Sequence, residues 1–154
     1  MSGGSGPKGA VIVGADGRAK AYRPLPLEAR GAAVREGLDA YRRGDFFEAH
    51  EALEPAWMGS DDPAERSALQ GLIKLAAAYV HDVRGNPPGI AKNLEGARAR
   101  LAEAHDAGWR PPAALGLDVD IAALIDDIDL RLADLATHPA DPTLGPPSLQ
   151  RSPA

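Results

Sequence analysis

Between residues 45 and 57 the sequence reads DFFEAHEALEPAW, and this stretch locates both a helix and a candidate site. Selected residues recur at steps of three and four, which places them on one face of a helix. They are Phe46, His50, Leu53, Glu54 and Trp57. Three of them are typical of a protein core, whereas a histidine and a carboxylate on a buried face need polar partners. We therefore predict that His50 and Glu54 take part in a polar site inside a helical protein.

Length and composition exclude several classes of protein. A chain of 154 residues is long enough for one domain with a substantial core. The net charge of −5 gives no overall basic surface, so we expect no nucleic-acid partner. The absence of cysteine excludes disulfides, cysteine-ligated zinc and thiol chemistry. No apolar run is long enough to cross a bilayer and no secretory signal pattern is present, so we expect a cytoplasmic protein with no membrane partner.

The periodicity of the chain divides it into three parts. Residues 1–24 are rich in glycine and then in proline, and we expect a flexible segment, in which Val11–Val13 and Ala15–Arg18 are compatible with a small hairpin. Residues 25–137 predict an all-α fold, a single compact bundle of about five helices. Residues 138–154 are rich in proline and serine with little to bury, which predicts a disordered C-terminal tail.

The ends of the predicted helices carry recognisable signals. Gly44 suits the position after a helix end, and Asp45 with Glu48 forms a capping box for the next helix. Pro55 should kink or shorten that second helix near its last turn. The expected bounds are about 27–43, a second helix from Asp45, about 63–84, a fourth helix from Asn86 to before Gly108, and about 119–136. The third helix is the most apolar, so we expect it to be central.

The third helix also carries a polar stripe on its apolar surface. Gln70, Lys74 and His81 are separated by four and seven residues and therefore share a face. If the second and third helices pack as an antiparallel pair, this stripe would meet the polar residues of the second helix. Asn93 on the fourth helix is compatible with a position in the same pocket, and Trp57 is expected to anchor its apolar side.

One interpretation of this cluster is a metal site. His50 and Glu54 are spaced as a pair of ligands on one helix, and His81 would supply a third ligand from the next helix. Two histidines and one carboxylate are a usual set for catalytic zinc. Glu51 follows the first ligand, the place that the general base takes in the His-Glu-x-x-His arrangement, although Glu54 stands here where that arrangement has its second histidine. This interpretation predicts a hydrolase of a small molecule, with Glu51 and Lys74 as catalytic groups and a divalent, zinc-like metal ion.

Two other interpretations remain open on the residues alone. The carboxylates and His50 are also suited to a small cationic or amide ligand without a metal ion, with Lys74 facing an anionic group of that ligand. Alternatively the polar cluster is architectural, and the chain is a non-catalytic scaffold or an oligomerisation module, for which a homo-oligomer is a natural form. The sequence leaves open whether the protein is an enzyme, which substrate it takes and which oligomer it forms.

The order and spacing of these residues resemble one known family. The resemblance covers roughly residues 38–101 and rests on Gly44–Glu51, Leu53–Glu54, Trp57, Gln70–Ala76, His81 and Arg84–Asn86. This pattern is similar to the domain of unknown function 309 family, a small all-helical family of bacteria and archaea that is sometimes described as predicted metal-dependent hydrolases. The resemblance implies a compact helical domain whose second and third helices share a site. Its motif falls on His50, Glu51, Glu54, Trp57, Gln70, Lys74 and His81, and Pro55 is a local variation that would shift Trp57.

Overall fold

Five α-helices dominate the computed structural model, which describes residues 11–13, 19–21, 23–83 and 86–149, with side chains described for 23–80 and 86–149. The helices are α1 (Leu27–Arg42), α2 (Phe46–Met58), α3 (Pro63–Val83), α4 (Pro87–Asp106) and α5 (Ile121–Thr137), with a 3₁₀ turn at Ala113–Leu115 between the last two. Two short strands, β1 (Val11–Val13) and β2 (Ala19–Ala21), pair antiparallel before the first helix. The predicted all-α fold with about five helices is confirmed, and the predicted hairpin segment Ala15–Arg18 lies outside the described residues.

Polar side chains define where several helices begin. The carboxylates of Asp45 and Asp120 and the amide of Asn86 each accept a hydrogen bond from the backbone N–H three residues later, at 3.2, 3.1 and 3.3 Å. Each bond satisfies one of the N–H groups that a helix leaves unpaired at its start. Gly44 has a φ of +84°, the left-handed conformation that glycine adopts without strain after a helix. The predicted caps at Asp45 and Asn86 are confirmed, and Asp120 is a cap rather than part of the solvated helix face.

The helices pack in the order in which they occur in the chain. α3 lies between α2 and α4, while α1 packs on α2 and α5 packs on α4. The central position predicted for α3 is therefore confirmed. Its buried residues, Leu69, Leu72, Ile73, Leu75 and Ala76 among them, join one continuous hydrophobic core with residues of the other helices. No helix in the described part of the chain has the length and apolar character needed to cross a membrane.

A glycine allows the closest approach between α1 and the 3₁₀ turn. A Cβ atom at Gly31 would lie 2.2 Å from the carbonyl oxygen of Ala114, closer than any real side chain comes to a backbone atom. The connection between α4 and α5 therefore lies directly on α1. Leu115 in this turn is buried in the core, so the turn closes that side of the bundle.

The segment after α5 has more structure than its composition suggests. Residues 139–149, named here the C-terminal strap, contain no helix or strand but lie against the bundle, and Pro147 and Leu149 are buried. Asp134 of α5 holds its start by accepting hydrogen bonds from Thr143 and Leu144. The structure thus corrects the predicted tail for these residues. At the other end, the N–H groups of Arg23 and Leu25 donate to the carbonyls of Met58 and Gly59, so the predicted flexible segment is attached to the bundle by residue 23.

Candidate functional site

Local packing of α2 places the predicted site residues beside the core. Ala49, Leu53 and Trp57 are buried, and Trp57 is only 3 % exposed, so its predicted role as a core anchor is confirmed. His50 and Glu54 lie next to them, one helical turn apart, and both are half-buried. Pro55 lies inside α2 three residues before its end, on the exposed side, and leaves Trp57 in the core. The sequence pattern therefore located this face of α2 correctly.

His50 has a carboxylate neighbour on its own helix. Its Nδ1 lies 3.1 Å from Oε2 of Glu51, and the two side chains are 20 % and 52 % exposed. When the proton is on Nδ1, this nitrogen donates to Glu51 and leaves Nε2 with a free electron pair. A carboxylate on one ring nitrogen holds the ring in one orientation and raises the basicity of the other nitrogen. The pair can therefore present Nε2 as a base or as a metal ligand.

Other members of the predicted cluster are only partly placed. Glu54 and Gln70 are half-buried, and each is engaged in an interaction within the structure. His81 belongs to α3, but its side chain lies outside the described residues. Among the side chains that are described, no group of three or more histidine and acidic residues is arranged to hold a metal ion. The structure thus leaves the metal set of His50, Glu54 and His81 as a prediction.

Lys74 lies on the α4 side of α3. Its side chain crosses Gly96, where a Cβ atom would come within 2.9 Å of Lys74 Cδ and 3.5 Å of Nζ. The pKa of Lys74 is lowered, first by burial of the ammonium group and then by repulsion from Arg100 and Lys92, both on α4. This placement corrects the sequence argument that grouped Lys74 with the carboxylates of α2. Gly96 belongs to the small-residue stripe of α4, and here it provides the space for the lysine stem.

Asn93 is occupied by its own helix. Its Nδ2 donates a hydrogen bond of 2.9 Å to the carbonyl oxygen of Gly89, one turn earlier on α4. Such a bond from a side chain to the preceding turn is a local structural contact. Asn93 therefore uses one amide donor for the helix, and its predicted place in the pocket gains no support from this contact.

Two polar contacts that the sequence did not indicate hold distant elements together. Arg30 Nε of α1 lies 2.8 Å from Oε2 of Glu65 at the start of α3, and the Glu65 side chain is only 4 % exposed. The same guanidinium donates to the carbonyl oxygen of Leu25 at 2.7 Å. On α4 and α5, Arg98 makes two hydrogen bonds to Asp129. These pairs span 35 and 31 positions of sequence, and no local pattern announces a contact of that range.

An open groove of about 370 Å³ lies at the other end of α4. It is lined by His105, Gly108, Trp109, Arg110, Pro111, Val119, Asp120, Ile121 and Ala122. The sequence treated Trp109 as packing for the helix end and His105 as a solvated residue. None of the residues predicted for the site lines this groove, so it is separate from the polar face of α2.

The fold and this polar face define a small helical domain with a histidine and two carboxylates on its second helix. Residues 34–93 match the model of the family described as Domain of unknown function (DUF309), which confirms the resemblance. The segment, from the middle of α1 into α4, therefore belongs to this family and contains every residue predicted for the site. The family description names no activity.

One relative extends the comparison without adding an activity. A protein of Aquifex aeolicus (strain VF5), described as uncharacterized, is 30 % identical over 84 residues, which is 54 % of this chain. The chain spans only about a quarter of that relative's length, because the aligned part is 25 % of it. No solved structure matches the chain.

Proposed function

We propose that this chain is a metal-dependent hydrolase of a small substrate, with its site on the polar residues of α2 and α3. The observation that supports the proposal is the 3.1 Å contact between His50 Nδ1 and Glu51 Oε2. Histidines that ligate zinc are commonly held by a carboxylate in this way, so that the second ring nitrogen faces the ion. His50 is half-buried, which restricts the ring while leaving it accessible to a small molecule.

The residues that would hold a divalent ion such as zinc are His50, Glu54 and His81. His50 and Glu54 fit this role, because they lie one turn apart on α2 and combine an imidazole with a carboxylate. His81 on α3 would add the second imidazole and complete a catalytic set with one open position. When bound, such an ion supplies a Lewis acid and lowers the pKa of a bound water.

The remaining residues have supporting roles in this proposal. Glu51 is a positioning residue that acts through His50, because its carboxylate contacts Nδ1; this replaces the general-base role assigned from spacing alone. Gln70 offers a half-buried amide on the adjacent helix for a polar group of the substrate. Trp57 fixes α2 from the core side. Lys74 has no part in the proposed site, since its neighbours are on α4.

A non-catalytic binding or scaffold module is the second candidate. One observation favours it: among the described side chains, every buried nitrogen and oxygen atom has a hydrogen-bond partner. A fully satisfied polar network can specify the packing of a helix pair and need have no further function. In that case the contact of His50 with Glu51, and the interaction of Glu54, hold α2 in position.

Zinc titration by isothermal calorimetry distinguishes the two candidates. The protein is purified without a metal-affinity step, and the parent is compared with His50→Ala, His81→Ala and the control His105→Ala, an exposed histidine near the end of α4. A metal site predicts one ion per chain in the parent and in the control, and none in the other two variants. Small carboxylic esters, amides and phosphoesters are then assayed for hydrolysis with and without zinc.

The stability of the metal-free variants gives an independent readout. A site built for function predicts that His50→Ala without metal unfolds at nearly the parent denaturant midpoint. An architectural cluster predicts a loss of about 1–3 kcal/mol, because the polar partners of His50 are left unsatisfied. Zinc binding that survives both histidine substitutions would refute the metal site. A stoichiometric zinc site with no hydrolysis of any substrate class would refute the hydrolase.

A further inference from the structure

The C-terminal strap lies in a groove whose donors all point to its main chain. Side chains from α1 and α5 donate to carbonyl oxygens of alternate strap residues. The bonds are Arg131 Nε to Gly145 at 3.0 Å, Tyr41 Oη to Pro147 at 2.7 Å and Arg42 Nε to Leu149 at 3.0 Å. In an extended chain every second residue faces the same side, so this spacing is that of an extended peptide bound along one edge. We name Tyr41, Arg42 and Arg131 the strap groove.

The strap side chains follow the same alternation. Pro147 and Leu149 are buried, whereas Ser148 between them is exposed. Pro146 and Pro147 lack N–H groups and keep the residues before them extended. The segment therefore offers acceptors and two apolar side chains with little conformational freedom to lose, which are the properties that make proline-rich segments good ligands.

Tyr41 is built into the groove as a permanent donor. Burial raises the pKa of its phenol, and the nearby Tyr79 raises the pKa further, so the hydroxyl keeps its proton at physiological pH. Its ring packs edge-on against Phe46 with centroids 5.1 Å apart, and this contact holds the hydroxyl in place. The two guanidinium groups beside it are always charged, so the strap groove contributes donors at each of its three contacts.

We propose that the strap groove is a binding site for a proline-rich, extended segment of a partner protein, and that the C-terminal strap is its intramolecular competitor. The required pattern is a proline and a leucine two residues apart, because these two side chains are buried in the seated strap. The hydrogen bonds are to carbonyl oxygens, which any peptide provides, so a segment from another chain can make the same contacts. Its attachment to α5 gives the strap a high effective concentration, which a partner must exceed.

Fluorescence anisotropy with a labelled peptide of residues 141–150 tests this proposal on the full chain. Leu149→Asp releases the strap but leaves every groove residue unchanged. Ser148→Asp adds the same charge at an exposed position and is the matched control. We expect Leu149→Asp to bind the peptide at least about tenfold more tightly than the parent, because the competitor is gone. The control should bind as weakly as the parent.

A second substitution links the binding to the groove. Tyr41→Phe combined with Leu149→Asp should weaken peptide binding about fivefold to tenfold, the usual effect of losing one hydrogen bond. If Leu149→Asp does not fold by circular dichroism, Asp134→Ala releases the strap at its other end and takes its place. Equal affinities of the parent and the released variant, or no effect of Tyr41→Phe, would overturn the proposal. A dimer of the parent that Leu149→Asp abolishes would overturn the choice of partner, since a second copy would then be the occupant.

Discussion

The ion pair between Arg30 and Glu65 provides the sharpest test of how the bundle is held together. Glu65 is 4 % exposed and Arg30 is 18 % exposed, with Nε and Oε2 2.8 Å apart. Arg30→Met keeps most of the apolar stem but leaves a buried carboxylate without its charged partner. Removing one member of a buried pair typically costs about 3–5 kcal/mol of unfolding free energy. Because Arg30 retains some contact with solvent, we expect a value near 3 kcal/mol, the low end of that range.

The double variant separates the pair from its burial. Replacing both residues, as Arg30→Met with Glu65→Met, removes both charges together with the penalty for burying them. We expect the double variant to lie within about 1.5 kcal/mol of the parent, and to be more stable than Arg30→Met alone. Urea denaturation followed by circular dichroism measures all of the free energies. The reasoning would be refuted if Arg30→Met cost less than about 1 kcal/mol, or if the two substitutions simply added.

Three further predictions follow from individual contacts. Trp57→Ala should lower the unfolding free energy by about 3–5 kcal/mol because it empties a buried site, and an unchanged urea midpoint would contradict the burial. Gly31→Ala should also destabilise the chain, because the new Cβ meets the Ala114 carbonyl, and the thermal midpoint should fall. The Leu144 N–H, followed by the Thr143 hydroxyl and N–H, lowers the pKa of Asp134, so this carboxylate stabilises the fold above the ordinary carboxyl pKa of about 4 and loses that contribution as the pH falls below it. Unfolding midpoints measured against pH should show this loss in the parent and a smaller loss in Asp134→Asn.

The helices were predictable because their signals are local. Periodicity over α2 and α3 is set by residues within a few turns, and the capping groups Asp45 and Asn86 act on N–H groups three positions away. The burial of Trp57 follows from the same periodicity. Each of these inferences needs only the neighbouring residues, and the structure agrees with each.

The composition of the site was harder to predict, because a helix face does not name its neighbour. Lys74 shares a stripe with Gln70, but α3 has neighbours on both sides, and the lysine lies against Gly96 of α4. The spacing was correct and the partner helix was not. The pattern could not distinguish the two sides, since both contain small and polar residues.

The strap escaped prediction for a different reason. A segment rich in proline and serine is typical of a disordered tail, yet two buried side chains and three main-chain hydrogen bonds hold this one. Leu144 and Leu149, placed among the prolines, were the available signal. Their partners are up to 107 positions away, and no spacing rule reaches that far.

Nitrogen-15 NMR of the imidazole rings during zinc titration tests the proposed metal site most directly. The chain has four histidines, so each ring can be assigned by single substitution. We expect His50 to be protonated at Nδ1 before zinc is added, and Nε2 of His50 together with one nitrogen of His81 to shift in proportion to the first equivalent. His105 and His138 should remain unchanged. A titration in which neither His50 nor His81 shifts, or in which all four rings shift weakly together, would contradict the account.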